Sequence, residues 1–514
     1  MQQWRFAMRK LFHSALAGCG LAALTACGVA SANSDLPSSP DNPGIKLVSG
    51  RDAVLSFHLE CLGGRVGCDR AGYIKFWGAR LGNVRLDDIV EDWSQALGSF
   101  DFIAPLRGST TLWTRPELPI SGPPPGSVFD GRWRFQQLLF SELTGQARKA
   151  AIRAFVGAEA SDQLREVVAR FEGVFDPWWA DQQPALQAYK AEIAEILNGR
   201  LSEFNDELHR LFQIDGGPGQ SLFLVPRPAS DNPFRGSQKE DLSIVEVDPA
   251  TDPTLRALVV LHELIHSYYG RSEVAQTAQH EALEQSNAAD MGIAYGLTAE
   301  VLPTALANGI AAKLVMRPDD YARYADRAGS FYTDLAIDTA AKAAMSHLES
   351  QLETGRSADV DFFSGLHEII IKALGRDLYQ PRSAMTVATA LYVDPGIENE
   401  VVQTVQAMGA NSVYNHAWSL EKENDYLVAN YPTVTIAVFG TRSEINQVIS
   451  QSQVIGLKAQ IADRQELPCV AITERGRAVY LVDSSSLAAF RSMSEVPVTC
   501  HVRGGSDAGE SSLN

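Results

Sequence analysis

Basic charge is what this 514-residue chain most lacks. It carries 44 lysines and arginines against 62 aspartates and glutamates, a formal net charge of -18 at pH 7. No basic stripe interrupts that excess. Nucleic acid is therefore excluded as a partner, because binding a phosphate backbone needs a positive surface. Internal repeats are missing too. Cysteine is sparse, six in all, and Cys61, Cys68, Cys469 and Cys500 lack the C-x-x-C spacing of a structural zinc site. What remains is the composition of a globular protein, 45% hydrophobic and 21% charged, long enough for two or three domains.

The N-terminus has the pattern of a targeting segment. Arg5, Arg9 and Lys10 precede an apolar stretch, Leu11 to Leu24, that is too short for a membrane span. Residues 1–26 read as a signal peptide. They end in Leu24-Thr25-Ala26-Cys27, which resembles the lipobox of bacterial lipoproteins. The resemblance implies cleavage before Cys27, lipidation of Cys27 and a place in the bacterial cell envelope. With Gly28 following rather than Asp, it points to the outer membrane. Residues 27–44, rich in Ser, Asn, Asp and Pro, read as a tether. An even number of remaining cysteines in an exported chain suggests disulfides, and local pairing predicts Cys61–Cys68 and Cys469–Cys500.

The chemistry concentrates in Asp252 to Tyr269, DPTLRALVVLHELIHSYY. Asp252 suits a helix N-cap and Pro253 the first helical turn. Apolar residues (Leu255, Leu258, Val259, Val260, Leu261, Leu264, Ile265) surround the pattern on every side, which predicts a buried helix. His262 and His266, four apart, share one face and can point at one ion. Glu263 lies roughly 100° further round. Buried imidazoles and a carboxylate are costly unless something compensates them, and a metal ion does so. H-E-x-x-H on a helix is the signature of zinc hydrolases, with two His ligands and Glu as general base.

A catalytic zinc wants a third protein ligand. The metzincin extension is absent, since Tyr269 stands at its Gly position. Residues 280–296 read as a second helix offering Glu281, Glu284 and Asp290. Glu284 is the choice: it follows His266 by eighteen positions, and Ala288 and Ala289 one turn on allow close packing. This pattern resembles the HExxH metallopeptidases of the gluzincin type, over Leu222 to Gly296. The resemblance implies a zincin fold, with His262, His266 and Glu284 holding Zn²⁺ and Glu263 as general base in hydrolysis of a peptide or protein substrate. Glu300 is a further contender. It follows His266 by thirty-four positions, a spacing similar to that of clostridial neurotoxin light chains, whose motif is also HELIH. In those proteins an R-x-x-Y pair assists, and Arg376 and Tyr379 match its form. Tyr295, Tyr332 and Tyr379 are candidates to stabilise an oxyanion. His280 reads as solvated, and His367-Glu368, with no second His, as ordinary helix.

The fold expected is α+β. Residues 45–126 read as β-rich, with strands at 53–57 and 72–77, closed by the Pro/Gly-rich break at 115–126. Residues 127–220 read as helical, with Trp178 and Trp179 as core anchors. Residues 221–395 form the expected catalytic domain. There, 242–247 is the expected edge strand, and helices are expected at 331–355 and 361–374. Residues 396–503 read as a small α/β appendage with a strand at 433–439, a helix at 442–450 and a hairpin over 469–483. Residues 504–514 read as a disordered tail. The competing expectation is a non-catalytic zincin-fold lipoprotein acting as a binding or scaffolding module.

Overall fold

The computed structural model describes residues between 45 and 503, with internal breaks of which the longest are 106–127 and 418–434. The signal segment, Cys27, the tether, the 115–126 break and the tail lie outside the described residues. The described chain is α+β and mostly helical.

The N-terminal region is helical, not β-rich. After β1 (Lys46–Val48) come α1 (Arg51–Leu62), α2 (Arg70–Gly78) and α3 (Leu86–Leu97). A short antiparallel pair, β2 (Ile103–Pro105) and β3 (Val128–Asp130), follows. The expected strands at 53–57 and 72–77 lie inside α1 and α2. Every residue of α1 from Ala53 to Leu62 is buried. A short continuous apolar run fits a buried helix as well as a buried strand, and here the surroundings decided for helix. Asp69 caps α2 by accepting from the Gly72 N–H at 3.1 Å. The expected Cys61–Cys68 bridge joins the end of α1 to this cap, with Cα atoms 5.9 Å apart.

Past β3, which falls at the start of the region expected to be helical, come α4 (Gly145–Val156), α5 (Ala158–Glu195), a π-helical turn at Ile196–Arg200 and α6 (Ser202–Phe212). α5 continues through Pro177 and Pro184. Trp178 and Trp179 anchor it in the core. The Trp178 ring lies 4.9 Å from His58 and 5.4 Å from Trp77, and Trp179 stacks on Phe175.

The sheet beside the motif contains β4 (Ser221–Pro226), β5 (Gly236–Lys239) and β6 (Leu242–Val247), in the order β1-β4-β6-β5. β1, β4 and β6 run parallel, while β5 is antiparallel to β6. β1 thus ties the N-terminal region into the sheet of the expected catalytic domain. β6 is interior, correcting its reading as the edge. All six of its residues are buried, as in a strand covered on both faces. Among the described residues the two edges are β1 and β5.

A helical layer follows: α7 (Pro253–Arg271), α8 (Glu273–Gln285), α9 (Met291–Pro303), a π-helical stretch at Thr304–Ala311, and α10 (Ala312–Val315). It continues with α11 (Pro318–Asp326), α12 (Leu335–Glu353), α13 (Val360–Leu374) and α14 (Pro381–Ala384). α12 and α13 match the two helices expected there. A second sheet, ordered β11-β12-β9-β7-β8, holds β7 (Val387–Tyr392), β8 (Ser412–Ala417), β9 (Thr435–Gly440), β11 (Cys469–Ile472) and β12 (Ala478–Asp483). β10 (Gln460–Ile461) and β13 (Val502–Arg503) pair separately. β7 belongs to this sheet, which therefore starts before residue 396. The expected strand, the helix α15 (Arg442–Gln451), the 469–483 hairpin and the Cys469–Cys500 bridge are all present. A final helix, α16, spans Leu487–Ser492. One face of the sheet closes on its own core of Val438, Ile445, Val448 and Leu481. Among the described residues, no helix is long and apolar enough to cross a membrane.

Candidate metal centre

α7 begins as its sequence dictates. Pro253 occupies the first turn, and the Asp252 carboxylate accepts from the Thr254 N–H at 2.8 Å. The helix is buried along most of its length. His262 and Glu263 are each only 6% exposed.

His262 and His266 turn their Nε2 atoms toward each other, 3.0 Å apart. The third group is Glu300, on the third turn of α9. Its Oε2 lies 3.5 Å from His262 Nε2 and 3.6 Å from His266 Nε2. A tetrahedral metal with bonds of about 2.1 Å sets its ligand atoms roughly 3.4 Å apart. The spacing of the three donors therefore suits one ion, and two imidazoles with a carboxylate are a donor set zinc accepts. Among the described residues, this is the one group of three or more such side chains whose donor atoms converge.

Burial sets the electrostatics. It pulls His262 below the usual histidine value, against the opposing pull of Glu300. Burial also lowers His266, but Glu300 and then Glu263 outweigh it, and His266 ends up raised. Burial would raise Glu300, yet His266 and His262 hold it well below the usual carboxylate range. For Glu263 burial outweighs the opposing pull of His266 and pushes it up to about 7. Three of the groups thus form a site of mixed charge that a cation would complete. The fourth stands beside it as a buried carboxylate that holds its proton more tightly than an ordinary one.

The structure brings Glu300, and not the expected Glu284, to the two histidines. Residues 280–296 do not form one helix: α8 stops at Gln285 and α9 starts at Met291. The break turns Glu284 outward, where its side chain is 71% exposed and pairs with His280 at 3.5 Å. Glu281 is also exposed, and Asp290 sits at the N-cap of α9. Glu300 carried its own signal in the sequence. It is the one charged side chain in the otherwise apolar run Met291–Pro303.

Of the three tyrosines, Tyr332 is the one the structure brings to the motif, its ring 6.0 Å from that of His262. Tyr295 neighbours His367 instead. Tyr379 is buried and its carbonyl accepts from Tyr480, while Arg376 is exposed. His280 is half exposed as expected, and in the His367-Glu368 pair the histidine is buried and the glutamate exposed.

Sequence reasoning missed Gly236. It opens the edge strand β5, and a Cβ built on it would overlap the Glu263 carboxylate. A cavity of about 450 Å³ opens at the start of α7, lined by Asp252, Leu255, Met316, Arg323, Tyr324 and Arg327, apart from the metal group. No family model, no curated protein and no solved structure matches this chain.

Proposed function

We propose that the protein is a metal-dependent hydrolase, and within that class a zinc metallopeptidase of the bacterial cell envelope. The observation that carries this reading is the convergence of His262, His266 and Glu300 with Glu263 next in line. His262, His266 and Glu300 would hold Zn²⁺. When bound, the metal supplies Lewis-acid polarisation and makes water more acidic. Glu263, offset from the ligands around the helix, acts as the general base: it takes a proton from water and returns it to the leaving amine. Tyr332 stands near His262 with a hydroxyl that can serve the carbonyl oxygen. The free edge of β5 suits backbone pairing with an extended peptide.

Export and lipidation at Cys27 belong to the same proposal and rest on the lipobox resemblance. The two disulfides agree with an oxidising compartment. The test is a Glu263→Gln variant of the zinc-loaded protein, assayed on casein and on mixed fluorogenic peptides. Retained zinc with hydrolysis reduced by about 10² or more supports the reading. A variant as active as wild type contradicts it.

A second reading, a metal-holding scaffold without catalysis, is favoured by the low side-chain exposure of the ligands, 7% for His262 and 17% for His266. Under it, the zinc-loaded wild type hydrolyses nothing and Glu263→Gln keeps its cellular role.

A further inference from the structure

Four buried polar atoms, on His262 and on the segments that follow Glu300 and precede Tyr332, lack any hydrogen-bond partner: His262 Nδ1, Thr304 Oγ1, Asn308 Oδ1 and Ser330 Oγ. Buried polar atoms are normally paired, so each needs an account. Helical spacing and contacts of neighbouring residues link the four. Glu300 approaches His262, and Thr304 follows Glu300 by one turn of the same helical run. Asn308 follows Thr304 by another turn, and the π-helical stretch bearing both packs along α7 and α12. Asn308 Nδ2 donates to the Phe331 carbonyl at 2.5 Å. Ser330 and Tyr332 flank Phe331, and the Tyr332 ring returns to His262.

We propose that these side chains line one internal polar chamber, on the side of His262 away from the metal, that binds ordered water and through it orients His262. This rests on the metal reading above. The chemistry follows from the tautomer. His262 must offer the Nε2 lone pair to an ion, so its proton resides on Nδ1. An Nδ1–H in the interior needs an acceptor, and metal-binding histidines depend on such a partner for orientation and basicity. Thr304, Asn308 and Ser330 supply three acceptor oxygens. One or two bridging waters satisfy these oxygens and the imidazole together, since buried water typically makes about three hydrogen bonds. Thr304, Asn308 and Ser330 are thus positioning residues for the metal, although none of them binds it.

The experiment measures zinc affinity of the full chain by chelator competition at fixed pH. Thr304→Val and Asn308→Leu are each expected to weaken binding by about 10- to 100-fold. Thr304→Ser, which keeps the hydroxyl, is expected to restore it, an outcome a packing role would not give. Urea midpoints identify any variant that fails to fold, and Ser330→Ala then replaces it. Unchanged affinity in the folded variants overturns the inference while leaving the metal reading standing. A wild type that binds neither zinc nor cobalt overturns the metal reading instead. In that case a high-resolution crystal structure decides the chamber: water bonded to His262 Nδ1 and Asn308 supports it, and a dry void overturns it.

Discussion

A β-carbon on Gly236 would overlap the carboxylate of Glu263. The edge strand β5 therefore runs against the residue that follows the first histidine of the motif, and the smallest side chain is what allows it to run so close. Glycine's use here is the close approach of backbone to a functional group. Gly236→Ala is expected to keep zinc, to lower hydrolysis at least tenfold and to lower the melting temperature. In a Glu263→Ala background the same change should cost almost no stability, because the overlapping atoms are gone. Thermal melts of the four proteins check the contact whatever the substrate. Equal melting losses in both backgrounds would contradict it.

Asp338 holds down the loop that carries Tyr332. Its buried carboxylate accepts from the backbone N–H groups of Gly329 at 3.0 Å, Phe331 at 2.9 Å and Tyr332 at 3.4 Å, and pairs with Lys342 at 2.9 Å. Removing it strands three backbone donors and takes away the ion-pair partner of Lys342. Asp338→Ala is expected to cost about 3 kcal/mol, in the range for breaking a buried ion pair from one side. Lys342→Met should cost less, since the ammonium end is 26% exposed and can turn to water. Urea denaturation of both variants checks the order, and a costlier Lys342→Met would reverse the account.

His58 predicts a pH dependence. Its Nε2 lies 3.0 Å from the Pro226 carbonyl and its Nδ1 accepts from Trp77 Nε1 at 3.0 Å, so both ring nitrogens serve a neutral imidazole. Burial pushes its pKa down to about 3, against the pull of the Pro226 carbonyl. The unfolded chain, with a histidine near 6.5, therefore takes up this proton first. The contribution is complete above about pH 6.5 and is lost as pH falls from there toward 3, at up to ~1.4 kcal/mol per pH unit. His367, pushed down to about 4 by burial, acts in the same direction. Urea midpoints between pH 7 and 5 should fall less steeply in His58→Gln than in wild type. Parallel slopes would rule out a neutral buried His58.

The motif helix was legible down to its cap because its signals are local: Asp252 and Pro253 start it, and the four-residue spacing aligns its histidines. The cysteine pairs and the C-terminal strand-helix-hairpin run were legible for the same reason. Helix α1 was not, since an unbroken apolar run says that a segment is buried but not in which geometry. The third ligand depends on where one helix ends and another begins. Ser286, at the end of α8, separates Glu284 from the helix that carries Glu300, and spacing measured along an assumed single helix pointed to an acid that the structure leaves exposed. A lone carboxylate in the apolar run Met291–Pro303 was the better guide, because burying an uncompensated charge is what a chain avoids. Gly236 was hidden altogether, since its role arises from a strand and a helix separated in sequence.

The most direct measurement is zinc content and affinity in wild type, Glu300→Ala and Glu284→Ala, each purified as full chain without Cys27. The account predicts one zinc in wild type and in Glu284→Ala, and binding lost or weakened by orders of magnitude in Glu300→Ala. Zinc held equally well by Glu300→Ala would contradict it.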